Sequence, residues 1–161
     1  MESVKYLLIG GGLASNRAAK TLRQKDPDGS ICIVSEEAYI PYNRPPLSKE
    51  YLRKENPREK LFYDQKEYYE EKSIELKLGC HATELNLTDR MVNFEGGNGI
   101  EFEKAFIATG GRPVRLNVPG GDLDGIYCLR NLDDTESISS EVESGKNVII
   151  VGGGFIGLEV A

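Results

Sequence analysis

Three consecutive glycines, Gly10-Gly11-Gly12, follow a short apolar run at residues 4–9. Behind them Leu13, Ala14, Ala18 and Leu22 recur at three- and four-residue spacings, the period of a helix face. A strand, a glycine turn and a helix open a dinucleotide-binding βαβ unit. Gly10 allows a turn that a side chain would block, and Gly12 lets the backbone approach a pyrophosphate. The helix start, with its unpaired N–H groups and positive dipole end, faces the phosphates. The third position of the motif holds Ser15, where Gly or Ala is usual; it is small enough for close helix–strand packing. A second apolar run at 31–34 ends in Ser35-Glu36-Glu37, which puts Glu36 24 positions after Gly12. An acid about 20 residues on accepts both ribose hydroxyl protons in such folds. Glu36 is the better candidate because it comes first after the strand; Glu37 fits a solvated loop acid.

The same arrangement returns near the last residue. Residues 147–151 read as a strand, and Gly152-Gly153-Gly154-Phe155-Ile156-Gly157 holds all three motif glycines, Gly152, Gly154 and Gly157. Residues 158–161 begin a helix. A turn of this quality without its second strand and ribose acid is half a motif, so the expectation is a fragment of a longer protein.

Between the two turns lies Pro41-Tyr42-Asn43-Arg44-Pro45-Pro46-Leu47-Ser48-Lys49-Glu50-Tyr51-Leu52. Three prolines within six positions force a rigid, extended path, and Ser48 is placed to cap a short helix after it. Rigidity beside Arg44 and Lys49 suits cations held against an electron-accepting ring; it suits a stiff linker with surface charges equally well. Further on stand Ala108-Thr109-Gly110-Gly111-Arg112-Pro113, then Leu129-Arg130 with Asp133-Asp134.

Taken together and in order, these segments resemble the FAD-dependent pyridine nucleotide–disulfide oxidoreductases. Within them they are most similar to the branch of ferredoxin and rubredoxin reductases and apoptosis-inducing factor. The resemblance implies an α/β chain: an incomplete Rossmann-like FAD-binding domain over residues 1–115, then the truncated start of a Rossmann-like NAD(P)H-binding domain over 116–161. It implies that Gly10, Gly12, Leu13, Ala14 and Ser15 follow the FAD pyrophosphate and that Glu36 holds the adenosine ribose. The Ala82 backbone would meet the adenine edge. Thr109, Gly110 and Arg130 would approach the cofactor, with Arg44 and Lys49 near the flavin. Gly152, Gly154, Ile156 and Gly157 would form the NAD(P)H turn. In this branch the lysine pairs with a glutamate of the second turn, here Glu159, and an ammonium at the ring edge favours incoming electron density.

What is missing narrows the chemistry. Disulfide reductases of the superfamily carry a C-x-x-x-x-C pair after the second strand, and related oxidases and peroxidases a single cysteine; this chain has Asn43, Arg44 and Pro45 there. The implied reaction is hydride transfer from NAD(P)H to flavin and single-electron delivery to a small iron–sulfur carrier. Two other readings stay open: a flavin module that controls assembly without turnover, and a fragment with no chemistry of its own. The choice between NADH and NADPH, and the oligomeric state, are not legible.

Composition agrees with an α/β domain. The 161 residues are 39% hydrophobic with 18 glycines, and the formal charge of −6 lacks the basic stripe that nucleic acid requires. Cys32, Cys80 and Cys128 form no C-x-x-C pair, and an odd count of widely spaced cysteines fits a reducing compartment, so the expectation is cytoplasmic. Lys5 followed by residues 6–14 could pass for a short signal peptide, but three glycines and no clear cleavage region argue against one, and no membrane insertion is expected. The single histidine, His81, shows no obvious partner and reads as structural. Patterning predicts a charged helix over 64–72, strands over 74–78 and within 79–87, and a hairpin of 91–94 with 100–102 around Gly96-Gly97-Asn98-Gly99. Residues 57–62 read as a loop with a helical turn, 104–109 and 126–129 as strands, and 133–143 as a helix.

Overall fold

The computed structural model describes residues 2–142 and 147–161. The chain forms two compact units, residues 1–43 with 62–110 and residues 44–61 with 111–161.

The first unit is a six-stranded sheet with helices. Strands β1 (Glu2–Ile9), β2 (Ile31–Val34), β3 (Ile74–Lys77), β4 (Ala82–Asn86), β5 (Met91–Phe94) and β6 (Gly99–Ile107) lie in the order β3-β2-β1-β6-β5-β4. The first four in that order run parallel; β5 and β4 add on antiparallel. Every residue of β2 is buried, as expected of a parallel strand covered on both faces. Ile31 and Ile33 join Leu8 against Ala19 of α1 (Leu13–Lys25) and Tyr69 of α2 (Lys66–Glu71). On the opposite face Leu7, Ile9, Cys32 and Val34 pack with Val92, Phe94, Ile100 and Phe102. The period-two alternation of the strands is what divides these two cores.

Helix α1 is rich in Ala, Leu, Lys and Arg, all good helix formers. It stops at Asp26, whose N–H bonds to the Leu22 carbonyl just before Pro27. Arg23 and Lys25 lie in its last turn, where cations complement the dipole. Arg23 does more: its guanidinium donates to the carbonyls of Asp26, Pro27, Gly29, Lys72 and Ser73. One side chain thus ties the helix end to its own exit loop and to the turn before β3. The Asp26 carboxylate accepts from Lys5, Tyr6 and the Gly29 N–H. The lysine first, then the tyrosine, draw its pKa down to about 2. A depressed carboxylate contributes stability above the ordinary Asp range and loses it as pH falls through the folded value. Asp26→Asn is therefore expected to flatten the fall in urea midpoint between about pH 4 and pH 2; an unchanged acid slope would contradict the assignment.

The second unit holds two 3₁₀ helices, Pro45–Ser48 and Arg58–Leu61, with α3 (Leu132–Val142) and α4 (Phe155–Val160). Helix α3 starts with a reciprocal cap. Asn131 Oδ1 accepts the Asp134 N–H while Asp134 Oδ2 accepts the N–H groups of Asn131 and Arg130. The fourth residue after the cap, Thr135, is buried and donates to the Asn131 carbonyl.

Several expectations are corrected. Residues 126–129 and 147–151 form no strand among the described residues. Their apolar runs have no ladder partner there, and a strand exists only through hydrogen bonds to a neighbour. The segments at 100–102 and 104–107 are one continuous strand, β6, because its length is paired to β1, and residues 108–109 lie beyond its end. Helix α2 begins at Lys66, and Asp64 precedes it, turned onto Asn16 and Lys20 of α1. Ser48 ends a 3₁₀ helix and caps no helix after it. The expected last residue of α3, Glu143, lies outside the described residues.

Candidate functional site

The first glycine turn joins β1 to α1 at the carboxyl edge of the parallel strands. Gly10 has φ of +121°, and a Cβ there would stand 2.1 Å from the Ala108 carbonyl oxygen. The turn is pinned on both sides, by Gly10 N–H to Val34 O and by Ala108 N–H to Ile9 O, each 2.8 Å. The contact brings Thr109 and Gly110, both exposed, beside the turn. A Cβ on Gly11 would meet Ser35 Oγ at 2.3 Å, so the middle glycine is also fixed by packing against the end of β2. That requirement was not visible in the motif.

Gly12 differs from both. It is the N-cap of α1 with φ −94° and ψ −169°, and nothing lies within 4 Å of where its Cβ would be. No side chain caps the helix and its first turn holds no acid. The first intrahelical bond runs from Asn16 N–H to Gly12 O, which leaves the N–H groups of Leu13, Ala14 and Ser15 without helical acceptors. Open space over uncapped amides is a cradle for an anion, and a dinucleotide diphosphate fits the residues present.

The Ser15 side chain does not face that space. It is buried and its Oγ has no hydrogen-bond partner. Removing an unpaired buried hydroxyl is neutral or stabilising by about 1 kcal/mol. Ser15→Ala should thus keep or raise the melting temperature without loss of nucleotide binding; a clear fall would show that the hydroxyl has a partner.

Glu36 is exposed just after β2, with Oε1 3.3 Å from His81 Nδ1. His81 therefore has a partner, contrary to expectation, because the turn after β3 brings residue 81 alongside residue 36. Glu37, expected to be merely solvated, is half-buried and accepts from the Tyr42 hydroxyl. Ala82 begins β4 and packs partly buried against the core.

In the second unit, the turn at residues 152–157 repeats the first in backbone terms. Gly152 has φ of +125°, and Gly154 is the N-cap of α4 with φ −78° and ψ 176°, uncapped and open within 4 Å. A Cβ on Gly157 would stand 2.1 Å from the Gly152 carbonyl oxygen. Ile156 is exposed beside it. Lys49 Nζ stands 3.0 Å from Glu159 Oε1, and Ser48 Oγ donates to Glu159 Oε2 at 2.6 Å. The hydroxyl and then the ammonium lower the Glu159 pKa. Arg44 donates to the Arg130 carbonyl at 3.0 Å, so these two candidates also meet.

The thiols offer no redox pair. All three cysteines are free, and burial pushes the Cys32 thiol up to about 12. Among the described residues no group of His, Cys, Asp and Glu could hold a metal ion, and no helix is long and apolar enough to cross a membrane.

Residues 4–161 match the family model of pyridine nucleotide-disulphide oxidoreductases. The chain is 36% identical over 154 residues to the ferredoxin–NAD(+) reductase component of the biphenyl dioxygenase system of Paraburkholderia xenovorans, covering 96% of this chain and 38% of that protein. It is 37% identical over 158 residues to rhodocoxin reductase of Rhodococcus erythropolis, covering 98% and 37%. Among solved structures, the covalent putidaredoxin reductase–putidaredoxin complex matches with a TM-score of 0.91 at 31% identity, over 99% of this chain and 39% of that one. The chain thus spans about two fifths of these relatives, and its fold is that of a Rossmann-like FAD-binding domain. The chain belongs to the pyridine nucleotide-disulphide oxidoreductases, a family that uses FAD and NAD(P)H.

Proposed function

We propose that this chain is the FAD-seating part, with the start of the NAD(P)H-binding part, of a reductase that passes electrons from NAD(P)H to a small redox protein such as a ferredoxin or rubredoxin. The observation that carries the reading is the uncapped start of α1 under open space at Gly12. In this reading the amides of Leu13, Ala14 and Ser15 hold the FAD diphosphate, with Thr109 and Gly110 beside it. Glu36 takes the ribose hydroxyls, for which it must turn from His81, and the Ala82 backbone meets the adenine. Gly152, Gly154, Ile156 and Gly157 receive the NAD(P)H diphosphate.

The chemistry supplied by bound FAD is two-electron uptake from NAD(P)H and release of electrons one at a time. Lys49 then contributes a fixed positive charge at the flavin edge, Glu159 holds that ammonium, and Arg44 and Arg130 act as one paired unit near the cofactor. The buried Cys32, with its raised pKa, is no nucleophile, which favours direct transfer over a thiol relay. The relatives named as ferredoxin reductases, and the complex with putidaredoxin, support an iron–sulfur protein as acceptor. The proposed division is an FAD segment over residues 1–115 and a nucleotide segment over 116–161, working in the cytoplasm.

The test is purification of the full-length protein, anaerobic titration with NADH and NADPH, and rapid mixing of the reduced protein with a [2Fe–2S] ferredoxin and a rubredoxin. Yellow protein bleached by one nucleotide and reoxidised by one carrier is expected. A colourless protein that takes up no FAD would end the proposal.

A further inference from the structure

We infer that Ser48 is a positioning residue, whose hydroxyl holds one oxygen of the Glu159 carboxylate so that the other is presented to the Lys49 ammonium. Consecutive residues at the end of the 3₁₀ helix Pro45–Ser48 thereby grip the two oxygens of one carboxylate, at 2.6 Å and 3.0 Å. The division of labour follows from burial. The Lys49 and Glu159 side chains are 40% and 32% exposed, and an ion pair that open to water is weak and loosely oriented. Ser48 is only 7% exposed, and its backbone is set by two prolines at the start of the helix. A short hydrogen bond from a fixed hydroxyl to a carboxylate is stronger and more directional than the exposed pair it supports.

The charged residues flanking the 3₁₀ helix are Arg44 at its start and Lys49 and Glu50 after its end. Arg44 is directed to the Arg130 carbonyl, and Lys49 is the charge that meets Glu159. The hydrogen bond from the hydroxyl is also the largest single influence that lowers the Glu159 pKa, ahead of the hydrogen bond and the charge of Lys49. Nothing in the glycine motif requires a hydroxyl at this position. Its value lies in converting a flexible surface pair into a set distance between the second nucleotide turn and the lysine.

The functional part of the inference rests on the flavin reading, so the experiment separates the two. In the full-length protein, Glu159 is followed by carbon-13 NMR of labelled glutamate carboxylates, assigned by difference with Glu159→Gln; this needs no bound flavin. Flavin reduction by NADH is followed in parallel across pH. In Ser48→Ala the Glu159 titration is expected to rise toward the ordinary carboxylate range. The acid limb of flavin reduction should rise with it, and the rate at neutral pH should fall about fivefold at unchanged KM. Ser48→Thr, which keeps the hydroxyl, should restore all three. A Glu159 titration and acid limb unmoved in Ser48→Ala, at an unchanged melting temperature, would overturn the inference, as would failure of Ser48→Thr to recover them. A moved titration in a protein that binds no flavin would support the grip on Glu159 and sink the flavin reading instead.

Discussion

Gly12→Val is expected to give a folded, colourless protein. The backbone at residue 12 is extended, with φ −94° and ψ −169°, a conformation that suits a β-branched residue. No protein atom lies within 4 Å of the added Cβ, so the apoprotein should melt at nearly the wild-type temperature. The new side chain would occupy the space over the first amides of α1. Overpacking of that kind costs about 1–3 kcal/mol, or about a 5- to 150-fold loss in FAD affinity. Gly10→Val is the companion experiment with the opposite outcome. There the backbone is left-handed at φ +121° and the Cβ lands 2.1 Å from the Ala108 carbonyl. Strain and clash together should cost about 4 kcal/mol or more, enough to lose the fold. Thermal unfolding and bound-flavin stoichiometry measured on both variants decide the matter. If Gly12→Val kept its flavin, the diphosphate would not sit where the reading puts it.

Arg23→Met should be strongly destabilising for a substitution outside the glycine turns and the buried core. It keeps the apolar stem and removes donors to five carbonyls, at distances between 2.7 and 3.3 Å. Those carbonyls belong to the end of α1, the loop before β2 and the turn before β3, so their loss loosens three segments together. Charge-assisted bonds to a half-buried side chain are not additive, and the total expected cost is about 2–4 kcal/mol, a melting temperature lower by about 5–15 °C. Arg23→Lys keeps the charge but not the planar fork and should recover only a minority of the loss. A variant within 2 °C of wild type, about the scatter of a surface change, would show that water replaces the guanidinium without penalty.

What the sequence made legible was local. The first turn is a strand, three glycines and a helix within about twenty consecutive residues, and its parts are neighbours whatever the rest of the chain does. The hairpin around Gly96-Gly97 is legible for the same reason. Arg23 was not, because the Lys72 and Ser73 carbonyls are about fifty positions away and no spacing rule links them. The charged neighbours of Asp64 suggest a helix, whereas its partners are Asn16 and Lys20 on another element. The apolar residues at 147–151 carry a strand-like pattern, but a pattern does not provide the adjacent strand that hydrogen bonds demand. The partnership of Lys49 with Glu159 came from the resemblance alone; no periodicity connects residues so far apart. Its buried third member, Ser48, reads from sequence as a helix cap, a role for which serine is common.

The fastening of the first turn has an evolutionary consequence. Gly10 and Ala108 are held to Val34 and Ile9 through main-chain groups alone, and those groups are the same in every amino acid but proline. Side chains at the rim of the turn can therefore be exchanged without redrawing its outline. A scaffold of this sort keeps one lock while its owners change the door around it.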